Sequence, residues 1–154
     1  MSGRQVTFWA AGVPIPQGSK RIGRNRATGK PILLDDNDKE LKPWREVVAW
    51  AGRAAAAAEP LDGPLEVHLL FYMPRPASHY LRSGDLKPSA PAWPAVKPDV
   101  DKLERAVFDA LTAGNVWVDD ARAVSVHKSK RYASLPHEAG VRVAVREILD
   151  GEAA

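Results

Sequence analysis

The sequence predicts an α/β (α+β) protein in which two main helices pack on one small, mixed β-sheet. Hydrophobic residues make up 45% of the 154 residues, which is enough apolar material for one core. Segments rich in strand formers alternate with segments of helical periodicity in the order β-α-β-α-β-β. A chain of this length is typical of one domain. We therefore expect a single domain over 1–149, followed by a flexible tail at 150–154.

The first half of the chain predicts one strand, one loop and one helix. Residues Gln5 to Ala11 are rich in strand formers. The 12–34 segment contains glycines, prolines and bases, and it is predicted to be a loop. From 39 to 58, apolar residues recur at helical spacing until Pro60 ends the pattern. This stripe consists of Leu41, Trp44, Val47, Val48, Ala51, Ala55 and Ala58.

The second half predicts a buried strand, a long loop and the clearest helix of the chain. The strand covers 65–73 and stops at Pro74, and the proline-rich 74–97 segment that follows is predicted to be a loop. Pro98 suits the start of a helix and Gly114 suits its end. The apolar stripe between them consists of Val100, Leu103, Ala106, Val107, Ala110 and Leu111.

Two more strands are predicted before the C-terminus. The first covers 116–130 and is interrupted near the two adjacent aspartates at 119 and 120. The second covers 140–148, where valines alternate with Arg142 and Arg146, so that one face is apolar and the other basic. Most of the five tryptophans fall on predicted elements and are expected in the core, with Trp93 as the exception.

Composition excludes several classes of chemistry. The chain has no cysteine, which excludes disulfides, a cysteine-ligated zinc site and a thiol nucleophile. No apolar run approaches the roughly 20 residues of a membrane span, and no signal region opens the chain, so we expect a soluble, cytoplasmic protein. The four histidines show no metal-ligand spacing and are expected as packed or surface residues: His68, His79, His127 and His137.

The bases of the N-terminal region are unusually concentrated. The chain carries a formal net charge of only +3, yet the first 34 residues contain six bases and no acid. These bases are Arg4, Lys20, Arg21, Arg24, Arg26 and Lys30. Such a segment is either a solvated face or a surface that contacts phosphates.

Paired acids flank the clearest predicted helix. Asp99 and Asp101 lie at its start, and Asp119 and Asp120 follow its end. Carboxylates that converge repel one another, and a hard divalent cation such as Mg²⁺ or Mn²⁺ relieves this repulsion. Bases surround both pairs: Lys97, Lys102, Arg105, Lys128, Lys130 and Arg131. Acids ringed by bases predict metal-assisted hydrolysis of phosphodiesters in nucleic acid.

Simpler interpretations of the same acids stay open at this stage. An aspartate at a helix start is favoured by capping and by the helix dipole. Asp101 and Arg105 are spaced as a surface ion pair on one helix face. Asp119 and Asp120 fit an ordinary polar turn.

Three motifs together resemble the RusA family of Holliday-junction resolvases. They are Lys97-Pro-Asp-Val-Asp-Lys-Leu-Glu-Arg-Ala-Val-Phe-Asp-Ala-Leu111, Val116-Trp-Val-Asp-Asp120 and Lys130-Arg-Tyr132. The likeness extends loosely to the opening strand and to the Gly-x-Pro-x-Pro segment at 12–16. It implies a small homodimeric α/β protein that cuts four-way DNA junctions with a divalent metal.

Carried over by position, the resemblance implies a role for each charged residue of these motifs. The essential, metal-holding acids fall on Asp99, Asp101 and Asp120, with Asp119 as a supporting acid. The helix cation falls on Arg105 and the late basic residue on Lys130. This chain departs from the family at Lys102, where asparagine is common, and at Arg105, where lysine is frequent. Because arginine does not donate a proton near neutral pH, Arg105 is expected to act through its charge alone.

We therefore expect a Mg²⁺-dependent, structure-selective endodeoxyribonuclease, in which Mn²⁺ substitutes, that resolves Holliday junctions by paired phosphodiester hydrolysis in recombination and repair. Asp99, Asp101, Asp120 and Arg105 are the expected catalytic residues. The expected DNA-binding residues are Lys20, Arg21, Arg24, Lys97, Lys102, Lys128, Lys130 and Arg131. The alternatives are a branched-DNA-binding module without catalysis and a nuclease of the same fold that prefers flaps or forks.

Overall fold

The computed structural model describes residues 3–18, 20–35 and 38–152, which form a mixed sheet with two helices packed on it. The fold class predicted from the sequence is confirmed. The strands are β1 (Gln5–Ala11), β2 (Lys20–Arg24), β3 (Pro31–Asp35), β4 (Leu65–Met73), β5 (Ala123–Tyr132) and β6 (Gly140–Glu147). The helices are α1 (Asp38–Ala55) and α2 (Val100–Ala113).

The main sheet has four strands in the order β1-β6-β4-β5. β6 pairs antiparallel with both β1 and β4, while β4 and β5 run parallel. Because parallel strands need a crossover, α2 lies between β4 and β5 in the chain. This connection brings the predicted acids at both ends of α2 to the side of the sheet where β5 forms the edge.

The core lies between one face of this sheet and the two helices. Alternate residues of β4 are buried, as the strand prediction required, and they meet the valines of β6 and the apolar stripe of α2. The remaining residues of β4, including Glu66 and His68, lie on the opposite, more exposed face. Within the described ranges, no charged or polar residue is classed as buried. The core is therefore apolar, and the functional polar groups lie at its surface.

Two glycines allow the helices to pack closely. A Cβ atom on Gly114 would lie 2.7 Å from the carbonyl oxygen of Ala49 in α1. A Cβ atom on Gly52 would lie 2.7 Å from a methyl carbon of Val116. Larger residues at these positions would push α1 away from α2 and from the segment that follows it.

The predicted loop at 12–34 contains a β-hairpin, which is a correction to the sequence analysis. β2 and β3 pair antiparallel, with Arg24 opposite Pro31. The side chain of Asn25 accepts hydrogen bonds from the backbone of Ala27 and Thr28, and Gly29 adopts a positive φ of 68°. The strands are short and the tip holds the bases, so the segment lacked the apolar alternation that predicts strands.

Other element boundaries differ by a few residues. α1 ends at Ala55 rather than 58, and Val47 of its predicted apolar stripe is 43% exposed. Trp50, one of the tryptophans expected in the core, is 68% exposed. Trp9 is 38% exposed, so the expectation that most tryptophans are buried is wrong for it as well. β5 starts at Ala123, because the two aspartates before it begin a short 3-10 turn. Neither α1 nor α2 has the length and apolarity needed to cross a membrane.

Candidate active site

The chain after α2 turns back along the helix. Asn115 takes a positive φ of 55°, which asparagine tolerates better than most residues. The indole N–H of Trp117 then donates to the hydroxyl of Thr112 at 2.8 Å, and its ring packs edge-on against Phe108 at 4.8 Å. These contacts direct the following residues, including Asp120, toward the N-terminal half of α2.

β5 continues along the same side of α2 and presents lysines to it. Lys128 forms an ion pair with Glu104. The ammonium group of Lys130 donates to the carbonyl oxygens of Val96 at 2.5 Å and Pro98 at 2.8 Å. Lys130 therefore connects β5 to the segment that leads directly into Asp99.

An open cleft of about 530 Å³ lies between α2 and the turn before β5. We call it the acidic cleft, and its lining includes Asp101, Glu104 and Asp120 together with Lys102 and Arg105. The guanidinium of Arg105 lies 3.5 Å from the carboxylate of Asp120. Asp101 and Asp120, which flank opposite ends of the helix, therefore line one surface.

Asp99 lies beside this cleft rather than in it. It occupies the N-cap position of α2 with an extended backbone (φ −71°, ψ 140°), yet its side chain makes no capping hydrogen bond. It lines an adjacent, mainly apolar cavity of about 600 Å³ with Lys97, Lys102 and Lys130. Lys102 borders both cavities, so Asp99 and Asp101 open on neighbouring parts of one surface.

Asp119 has a structural role in the turn that carries Asp120. Its carboxylate accepts the backbone N–H of Ala121 at 2.6 Å. That bond lowers the pKa of Asp119 below its ordinary value. The simple interpretation of a capped polar turn thus holds for Asp119, which fits its expected position as a supporting acid.

The donor set of the site suits a hard cation. Asp99, Asp101 and Asp120 offer only carboxylate oxygens, and all three are at least partly exposed. Among the described residues, the carboxylate oxygens of these three acids do not all lie within 4.8 Å of one another. The structure therefore does not assemble the three aspartates into one closed ligand set, and Mg²⁺ is commonly held through one or two carboxylates with waters completing its shell.

The predicted DNA-binding bases fall into three groups. Lys97, Lys102, Lys128 and Lys130 border the acidic cleft or its neighbouring cavity, or pair with residues there. Arg24 is exposed on the hairpin. Arg131 alternates with these lysines along β5 and instead lies over the ring of Trp93, 5.7 Å from its centre. The side chains of Lys20 and Arg21 lie outside the described residues.

Three cleft residues were missed by the sequence analysis. The backbone N–H of Gln17 donates to the carbonyl of Lys102 at 3.0 Å, and Gln17 and Gly18 line both cavities. The local sequence around these residues does not predict this contact, because the contact joins segments that are far apart in the chain. Glu104 could have been found, since it follows Asp101 by three residues and so shares its helix face.

Comparison with known proteins agrees with the resemblance. Residues 11–146 match the protein family described as Endodeoxyribonuclease RusA. The chain is also 28% identical over 145 residues to a Bacillus subtilis (strain 168) protein named "Uncharacterized protein YqaN", with 93% of this chain and 96% of that protein covered. The family match spans β4, α2, β5 and every acid described above. This chain therefore belongs to the RusA endodeoxyribonuclease family.

Proposed function

We propose that this protein is a Mg²⁺-dependent endodeoxyribonuclease that resolves four-way DNA junctions by paired strand cleavage. The observation that carries the proposal is the placement of Asp99, Asp101 and Asp120. Asp101 and Asp120 share the acidic cleft, and Asp99 stands at a helix start without capping it. A carboxylate placed at an N-cap and not used for capping is available for another ligand.

The three aspartates would hold the ion, and their oxygens would balance its charge. When bound, Mg²⁺ activates a water and neutralises charge that develops on the phosphoryl group. By holding the ion, the acids would position this group for the reaction. Asp119 would support them indirectly, because it holds the turn from which Asp120 projects.

Arg105 would act as a fixed positive charge. Its guanidinium lies 3.5 Å from Asp120 and borders the cleft into which a phosphodiester would enter. Arginine side chains keep their charge in proteins, so Arg105 would stabilise negative charge and would not supply a proton to the leaving oxygen. Lys97, Lys102 and Lys130 would bind the neighbouring phosphates of the same strand.

The substrate would be recognised through its shape and phosphates. The lysines and arginines around the cleft would contact phosphates, and phosphate contacts alone carry no sequence information. A four-way junction has approximate two-fold symmetry and needs two opposed cuts. We therefore propose that two copies of the chain act as a C₂ dimer, which presents two such clefts related by the same symmetry.

A panel of substrates tests this proposal. The full-length protein is incubated with Mg²⁺ and a synthetic four-way junction, with a matched linear duplex, a flap and a replication fork beside it. Paired, symmetric incision of the junction alone is the expected result, and Asp101→Asn serves as the inactive control. Binding without incision in Mg²⁺ or Mn²⁺ would reduce the protein to a DNA-binding module. Preferred cutting of the flap or fork would overturn the junction assignment.

A further inference from the structure

Two histidines that lie far apart in the sequence face each other on the exposed side of the sheet. His68 of β4 and His127 of β5 are direct partners in the parallel strand register. Their rings are stacked, with centres 4.5 Å apart and planes 11° from parallel. Neither histidine has a place in the proposed cleavage chemistry, since the acidic cleft lies on the helix side of the sheet.

A carboxylate completes the cluster. Glu66 lies two residues before His68 on the same face of β4, and its Oε1 atom is 3.0 Å from Nε2 of His68. One ligand atom from each of Glu66, His68 and His127 lies within 4.8 Å of the other two. Among the described residues, this is the one group of at least three acidic or histidine side chains with that spacing.

We propose that Glu66, His68 and His127 form a Zn²⁺ site that is separate from the acidic cleft. Two imidazoles and one carboxylate are a donor set that zinc accepts and that Mg²⁺ does not favour. Tetrahedral zinc with bonds of about 2.1 Å places its ligand atoms roughly 3.3 Å apart. Oε1 of Glu66 lies 3.0 Å from Nε2 of His68, and all three ligand atoms lie within 4.8 Å of one another, so side-chain rotations would bring them to that spacing and leave a fourth position to solvent.

Neighbouring groups hold two of these ligands in place. A guanidinium nitrogen of Arg146 lies 3.5 Å from Oε2 of Glu66, which leaves Oε1 directed at His68. The hydroxyl of Ser125 lies 3.4 Å from Nε2 of His127. Partners of this kind orient metal ligands and fix which ring nitrogen faces the ion. His68 and His127 are paired through the main chain as well, so their separation is set by the sheet.

Zinc titration of the tag-free protein tests the site. The titration is followed by calorimetry in excess Mg²⁺, which competes at the acidic cleft. One Zn²⁺ per chain is expected, and His68→Ala and His127→Ala should each weaken binding by more than the roughly tenfold that follows loss of an outer-shell partner. His137→Ala, which changes a histidine of a distant turn, and Asp101→Asn should bind zinc like the wild type.

A second measurement uses only the wild-type protein, so its result does not depend on whether the histidine variants fold. Co²⁺ added to the wild-type protein should give the intense visible absorption of a tetrahedral site, and Zn²⁺ should displace it. Unchanged zinc affinity in both histidine variants, one ion per two chains, or no cobalt absorption would each overturn the proposal. Because Asp101→Asn retains this site, failure here is distinguishable from failure of the proposed nuclease activity.

Discussion

The guanidinium of Arg105 and the carboxylate of Asp120, 3.5 Å apart, join α2 to the turn that precedes β5. This ion pair is the direct link between the two ends of the acidic motif. It places a cation within the acidic cleft without removing the carboxylates of Asp101 and Asp99 from solvent. Arg105 therefore offsets part of the negative charge that Asp120 brings to the cleft.

Replacement of Arg105 by alanine should slow junction cleavage by about 10²–10³-fold, which is typical for loss of one preorganised charge-stabilising group. Arg105→Lys should retain part of the activity, because an ammonium keeps the charge but not the planar guanidinium. Single-turnover assays in Mg²⁺ measure the cleavage rate constants of both variants. Arg122→Ala is the matched control, since Arg122 pairs with Asp62 at 3.0 Å outside the cleft. If Arg105→Ala cleaves the junction at the wild-type rate, Arg105 does not contribute to cleavage.

Asp101→Asn should abolish cleavage while junction binding stays equal or becomes tighter, because a negative charge near the phosphate is lost. Asp109→Asn is the control on the same helix, since Asp109 pairs with Arg45 at 3.6 Å. Gel-shift titrations without divalent metal and cleavage assays with Mg²⁺ separate the two effects. Weaker binding by Asp101→Asn, or retained cutting, would contradict the role of Asp101.

Binding of the junction should weaken steeply with salt. Each phosphate neutralised by a lysine or arginine contributes about −0.9 to the slope of log affinity against log salt for duplex DNA. Lys102→Ala should reduce that slope by about one, since Lys102 borders both cavities. Fluorescence anisotropy over a range of salt concentrations gives the slopes. Identical slopes for the wild type and Lys102→Ala would show that this lysine touches no phosphate.

Trp117 and Thr112 should show energetic coupling. Thr112→Val leaves the indole N–H of buried Trp117 without its acceptor, at a cost of about 1–3 kcal/mol in the free energy of unfolding. Trp117→Phe also removes this hydrogen bond, so the double variant should lose less stability than the sum of the single variants. Equilibrium urea denaturation gives the free energy of unfolding of the wild type, the two single variants and the double variant. If the two single losses of stability simply add up in the double variant, the hydrogen bond does not hold the segment after α2 against the helix.

Stability should depend on pH through Glu147. The backbone N–H of Arg4 donates to its carboxylate at 3.0 Å and the guanidinium at 3.1 Å, and these bonds lower the pKa of Glu147. A lowered folded pKa gives stability that is present above the unfolded pKa and is lost as pH falls through the folded value. Glu147→Gln should therefore destabilise the protein at pH 7, with a difference that shrinks at pH 3. A constant difference in denaturation midpoint would contradict this.

The sequence predicted α2 and β4 closely because each has a clear apolar periodicity of its own. It did not predict the β2–β3 hairpin, whose short strands alternate poorly and depend on the turn at Asn25 and Gly29. It identified Asp119 and Asp120 as an acidic pair, but which of the two acids lines the cleft depends on how Trp117 packs against α2. His68 and His127 face each other only because β4 and β5 pair in this register, and the spacing of residues along the sequence does not predict that pairing.

The strand order places β5 at the rim of the main sheet, with β4 as its single neighbour among the described strands. The acidic cleft opens beside this rim, and no part of it is roofed by the sheet. Under the proposed function, duplex DNA would therefore reach the carboxylates of the cleft without displacing any strand of the main sheet, because none of the cleft's lining residues belongs to such a strand.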